Sequence, residues 1–126
     1  MWKPFKVKNK RAIGDQYEQQ AYEHLKKQGL KLRDKNASFR FGEIDLIMLD
    51  GEQLVFIEVR YRHSKDFGGA AASINTQKQK KLIKAAQLYL QKHYKNNPPS
   101  CRFDVIAIDG KLKTELEWIK NAFYAG

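Results

Sequence analysis

The sequence predicts an α/β fold, a mixed β-sheet flanked by helices in the order α-β-β-β-α-β. Three observations predict it. Two stretches carry apolar residues at helical spacing with capping residues at their ends. Three β-rich runs are bounded by Asp-Gly or Pro-Pro breakers. The runs Glu43–Leu49 and Leu54–Tyr61 are apolar on both faces over most of their length, the pattern of interior strands covered on both sides. With 126 residues, 42% of them hydrophobic, the chain is long enough for one domain with a real core and too apolar for wholesale disorder.

Residues 1–12 carry Lys3, Lys6, Lys8, Lys10 and Arg11 and few apolar groups. They read as a mobile basic arm, or plainly as a solvated terminus, ahead of a single domain over 13–126. The first helix is expected from about residue 15 to about 28. Asp15 is its candidate N-cap, with Glu18 completing a capping box. Tyr17, Ala21 and Leu25 make its apolar stripe, Lys26 and Lys27 suit its last turn, and Gly29 suits a left-handed C-cap. Residues 30–41 read as a short strand and a loop, and 64–72 as a flexible loop around Gly68-Gly69. Asn75 or Thr76 caps the second helix, whose stripe of Leu82, Ala85, Ala86, Tyr89 and His93 carries it to Tyr94. Pro98-Pro99 stops it, Arg102–Ile108 forms the next strand, and Leu116–Ile119 is a candidate last edge strand.

The hairpin carries the sharpest signal. A type II′ loop at Gly51-Glu52 sets Leu49 opposite Leu54, Ile47 opposite Phe56, Asp45 opposite Glu58 and Glu43 opposite Arg60. Alternation puts Glu43, Asp45, Ile47 and Leu49 on one face and Ile44, Leu46 and Met48 on the other. Opposed carboxylates near an apolar core repel one another. A bound cation, a shared proton, or an arginine such as Arg60 or Arg62 relieves this. Acids at the end of a strand are also commonly just solvated or paired with arginine.

Charge limits the partners. Lys and Arg number 24 against 14 Asp and Glu, a net +10, which favours a polyanion: nucleic acid first, an anionic membrane surface second. The single Cys101 excludes an internal disulfide, and His24, His63, His93 and Cys101 lack zinc-ligand spacing. No apolar run is long enough for a signal peptide or a membrane span, so a soluble cytoplasmic protein is expected. A magnesium or manganese ion held by Asp45 and Glu58 would lower the pKa of a bound water and offset charge on a phosphodiester, with the basic surface holding the rest of a nucleic acid.

Gly42-Glu43-Ile44-Asp45, followed by Phe56-Ile57-Glu58-Val59-Arg60-Tyr61-Arg62, resembles the uncharacterised bacterial YraN family. Gly14, Glu18 and Ala21, Phe67-Gly68-Gly69, Lys78 and Arg102-Phe103-Asp104-Val105 match as well, so the likeness spans roughly residues 12 to 120. That family looks like the PD-(D/E)XK nucleases, with a restriction-endonuclease-like fold and a relation to Holliday junction resolvases. The resemblance implies Asp45 and Glu58 as metal ligands, the Val59 carbonyl as a third, and Glu18 as a helix-borne acid. The lysine of the motif is Arg60 here; arginine keeps the charge but cannot be a general base. Either the metal then activates the water largely by itself, or Lys78 reaches the site from the second helix.

The expected function is a metal-dependent nuclease acting on DNA, with Glu18, Asp45, Glu58 and Arg60 as catalytic residues. Arg62, Lys78, Lys80, Lys81 and Lys84 would hold nucleic acid, or form a merely solvated helix face. The alternative is a non-catalytic nucleic-acid-binding module on a nuclease-like scaffold. A homodimer is an open option, and membrane binding is not expected. Asp104 is expected to be structural, paired with an arginine such as Arg102, and Trp118 to pack.

Overall fold

A computed structural model of the protein describes residues 10–63, 68–110 and 115–124. The first helix, α1, spans Lys10–Lys27. It begins at Lys10 rather than at Asp15, so residues 10–12 belong to it and Asp15-Glu18 is no capping box; residues 1–9 of the expected arm lie outside the described residues. One glycine inside a helix costs only about 1 kcal/mol, so Gly14 does not stop the helix from extending back. Its C-terminus is as expected. Gly29 adopts φ 98°, its N–H donates to the Lys26 carbonyl, and the Leu30 N–H donates to Leu25. This is a Schellman closure, with Leu25 and Leu30 buried in one cluster.

Five strands follow around one more helix: β1 Lys31–Phe39, β2 Gly42–Asp50, β3 Gln53–Arg62, α2 Thr76–Tyr94, β4 Cys101–Asp109 and β5 Glu115–Phe123. The sheet order is β1-β2-β3-β4-β5, antiparallel except for the parallel pair β3–β4 that α2 connects. The fold is therefore α/β with a mixed sheet, and β2, β3 and β4 are interior, as their apolar faces require. Two expectations were too short. Residues 31–39 form a full edge strand whose polarity reflects exposure, with a bulge between Leu32 and Asp34 breaking the alternation. The last strand runs on from Leu116–Ile119 to Phe123.

The sheet divides two cores. On one face α2 packs Leu82, Ala85, Ala86 and Tyr89 against Ile47, Leu54, Phe56, Phe103 and Val105. On the other, Ala21 and Leu25 of α1 pack against Leu46, Met48, Val55, Ile57, Ile106 and Ile108. His93, placed in the apolar stripe by its spacing, is exposed. The Asn75 side chain caps α2, accepting the Lys78 N–H at 2.8 Å. Burial at a total of four positions of this stripe is enough to hold the helix down.

The β2–β3 register is the one the apolar pattern selects: Leu49 faces Leu54 and Ile47 faces Phe56 across a Gly51-Glu52 loop in which Gly51 alone has positive φ, 63°. The ladder ends at Leu46–Ile57. Beyond it strict alternation fails. Ile44 packs with Ile47 on the α2 side rather than with Leu46 and Met48. Across β1 the register runs past the facing position of Asp45 at Asn36, whose φ is 51°, an uncommon conformation for a side-chain-bearing residue. The break in β2 is what frees Asp45 from the plain two-residue repeat.

Candidate metal centre

Where the β2–β3 ladder stops, Asp45 takes the place of a backbone acceptor: its Oδ2 receives the Val59 N–H at 2.9 Å. Asp45 turns toward α1, where Glu18 and Glu43 each bring an oxygen within 4.8 Å of one of its own. Glu58, buried, looks to the α2 side, where Lys78 Nζ lies 3.5 Å from its Oε2. Asp45 and Glu58 line the same cavity, and each feels the other's charge, but Glu58 stands outside the trio of Glu18, Glu43 and Asp45 whose oxygens lie within 4.8 Å of one another. The two acids thus share a cavity at the parted strand ends instead of facing each other as a ladder pair.

Gly14, Tyr17, Glu18, Glu43, Asp45, Glu58, Val59, Arg60, Tyr61 and Lys78 line one cavity of about 400 Å³. Its electrostatics are unfavourable without a further cation. Glu58 is pushed up to about 8, first by burial and then by the charge of Asp45, with Lys78 and Arg60 pulling the other way. Glu18 is pushed up to about 7, first by burial and then by Asp45. Asp45 is raised by burial, and the Val59 amide works against that shift.

Arg60 does not face Glu43, as a continued ladder would require. Its Nε donates to Ser73 Oγ at 2.9 Å, one terminal nitrogen to the Ser73 carbonyl at 3.3 Å, and the other lies 3.5 Å from Glu58 Oε2. Ser73 sits in a short 3-10 turn, Ala71–Ser73, and its hydroxyl donates to the Ala70 carbonyl. The preceding glycines, expected in a flexible loop, are fixed where described. A Cβ on Gly69 would come within 2.7 Å of Asp109 Oδ1, the atom that accepts the Ala70 N–H. Residues 64–67 of that loop lie outside the described residues.

The structure therefore gathers Glu18, Asp45, Glu58, Val59, Arg60 and Lys78 from the expected set. It does not bring Arg62, Lys80, Lys81 or Lys84 into the cavity; they are exposed, at the end of β3 and along α2. The sequence reading passed over Glu43 as a possible ligand and the rim tyrosines. Glu43 has a signal, two residues before Asp45, and accepts the Ser38 hydroxyl at 3.1 Å. Tyr17 and Tyr61 stack with ring centroids 4.0 Å apart, and their hydrogen bond chiefly pushes Tyr17 up to about 12. The Tyr17 phenol is thus a protonated donor at neutral pH.

Asp104, expected to be structural, is so. It is buried and accepts Arg102 Nε at 3.0 Å, the Trp118 indole at 2.9 Å and the Asn121 N–H at 2.9 Å. Trp118 is thereby committed to packing. No helix among the described residues is long and apolar enough to cross a membrane.

Residues 17–108, which include every residue of this centre from Tyr17 to Lys78, match the family described as "Uncharacterised protein family UPF0102". The chain is similar to a protein of that family from Janthinobacterium sp. (strain Marseille), 55% identical over 92% of this chain and 90% of the relative. It is similar also to relatives from Herminiimonas arsenicoxydans, 53% identical over 87% and 85%, and Psychromonas ingrahamii, 56% identical over 84% of each.

Proposed function

We propose that this chain, which belongs to the uncharacterised protein family UPF0102, is a metal-dependent nuclease that hydrolyses phosphodiester bonds of DNA. One observation carries the proposal: four carboxyls and two cations converge in a single cavity on a protein of net charge +10. The donor set fits a hard divalent cation, because it is all oxygen and crowded. Glu18 and Glu58 keep protons near neutrality because they are buried and stand beside the charge of Asp45, and a divalent cation would take the place of those protons. Asp45 and Glu58, with the Val59 carbonyl, would hold magnesium or manganese, and Glu18 and Glu43 would complete the set on the α1 side. Such an ion, when bound, supplies a water of lowered pKa and offsets charge on the phosphate.

The chain's own residues supply the rest. The Val59 amide fixes Asp45 in one orientation. Lys78, ion-paired with Glu58 and about one-third exposed, is the group beside the acids that can both carry and release a proton. Arg60 stays protonated and, clamped to Ser73, presents a fixed positive charge beside Glu58. The tyrosine pair at the rim can donate to substrate oxygens. The exposed lysines of α2 would hold phosphates leading away from the cavity.

Arg60 in place of lysine favours a second reading, a nucleic-acid-binding module without catalysis. Incubation of the purified chain with plasmid and junction DNA, in magnesium or manganese, separates the two. The nuclease reading expects cleavage that Asp45→Ala abolishes. Absence of cleavage on every substrate, or undiminished cleavage by Asp45→Ala, refutes it; salt-dependent binding that survives loss of both Asp45 and Glu58 then favours the module.

A further inference from the structure

The turn between β1 and β2 holds an apolar side chain that the fold does not use. Phe41 is 42% exposed and belongs to neither core cluster, although Phe39, two residues earlier, packs against the α2 side of the sheet and meets Tyr89 edge-on. Cations attend the Phe41 ring instead. Lys84 Nζ lies 4.9 Å from its centroid and the Arg40 guanidinium 5.8 Å. Between this ring and the acidic cavity runs the lysine side of α2. Lys78 reaches Glu58, Lys81 lies beside Gly42, where an added Cβ would be 3.9 Å from its own, and Lys84 ends at Phe41.

A part-exposed aromatic ring beside cations is the means by which proteins hold unpaired bases: the ring stacks on a base and the cations hold phosphates. A duplex offers its bases only edge-on in the grooves, so it gains the charge but not the stack. From Lys78 to Lys84 is about 9 Å at 1.5 Å of rise per residue. At roughly 3.4 Å of axial rise per stacked nucleotide, and more in an extended strand, that is at most about two or three nucleotides.

We propose that Phe41, with Arg40, Lys81 and Lys84, forms a subsite for a single-stranded segment of nucleic acid, within about three nucleotides of the acidic cavity. The favoured substrate then carries unpaired nucleotides beside the bond that is cut. This last clause rests on the nuclease reading; the subsite itself does not.

The test is a binding measurement on the full chain with EDTA present, so that no cleavage enters it. Fluorescence anisotropy compares a labelled oligothymidylate with a blunt duplex of equal length. Phe41→Ala is expected to weaken single-strand binding about tenfold and duplex binding less than about twofold. Phe41→Trp is expected to restore single-strand binding, and its added tryptophan emission should fall when the oligothymidylate binds. An equal loss on both nucleic acids, no loss on either, or emission that does not change on binding overturns the subsite. A protein that cuts nothing yet shows the Phe41-dependent preference keeps the subsite and loses the nuclease reading. A protein that cuts DNA with no role for Phe41 does the reverse.

Discussion

Asp45 Oδ2 accepts the Val59 N–H at 2.9 Å across the point where β2 and β3 part. The carboxylate therefore has two tasks, closing a backbone hydrogen bond and facing the other acids, and two substitutions separate them. Asp45→Asn keeps an acceptor and removes the charge; Asp45→Ala also leaves a part-buried N–H unpaired, at about 1–3 kcal/mol. Both variants should lose at least about 100-fold in cleavage. Thermal unfolding at pH 8 with a chelator should rank Asp45→Asn at or above wild type and Asp45→Ala below Asp45→Asn.

Stability without metal should fall as pH rises. Glu18 and Glu58, raised to about 7 and about 8, bind protons in the native state that the unfolded chain has already released. Their contribution is present below the ordinary carboxyl range, near 4.5, and is lost as pH climbs through 7 and 8. Urea unfolding at pH 6 and pH 8.5 in EDTA reads this directly. Added manganese should restore more stability at pH 8.5 than at pH 6, because protons no longer compete for the same oxygens.

Lys78 and Lys81 lie one turn apart on α2 and should behave differently. Lys78 Nζ stands 3.5 Å from Glu58 and holds that carboxyl down, so Lys78→Met should push Glu58 higher and move the acidic limb of the cleavage profile to higher pH. A rate loss of about 10- to 100-fold should accompany it. Lys81→Met should leave the profile in place and only weaken binding, with a shallower salt dependence.

Arg60→Lys, which places a lysine where the expected motif has one, should not speed the proposed cleavage. A single ammonium cannot reproduce a guanidinium fork on Ser73 Oγ, the Ser73 carbonyl and Glu58 at once. A stability loss of about 1 kcal/mol is expected, with cleavage no faster than wild type. A faster variant would move proton transfer from position 78 to position 60.

Asp104 and Asp45 are both acids on interior strands, yet only one belongs to the cavity. Asp104 joins Arg102, Trp118 and the Asn121 amide, and Asn121, with φ 55°, lies where the β4–β5 register shifts. Asp104→Ala should cost about 3–5 kcal/mol in urea unfolding by stranding buried partners. The manganese affinity of the folded variant should equal that of wild type.

The β2–β3 register was legible because Gly51-Glu52 fixes the loop and a slip of one residue would misplace every apolar side chain. Asp45 and Glu58 were legible as neighbours in one cavity, but not as the opposed pair that the register expects, because the ladder ends at Leu46–Ile57. Their approach from different sides of the sheet was not, because it depends on where the ladder ends and on the conformation at Asn36, which alternation does not encode. Strand β1 was obscured by its polarity, that of an edge with a bulge. The start of α1 was misread because Asp15-Glu18 has the spacing of a capping box; with the helix begun at Lys10, Glu18 is left free to meet Asp45. Lys78 was named as a candidate, but its reach depends on the Asn75 cap that sets the first turn of α2.

Calorimetric titration of manganese and magnesium into the wild-type chain and into Asp45→Asn, at pH 8, tests the central claim most directly. The account predicts saturable binding with proton release in the wild type and its loss in the variant. Equal affinity in both proteins, or no binding by the wild type, would contradict it.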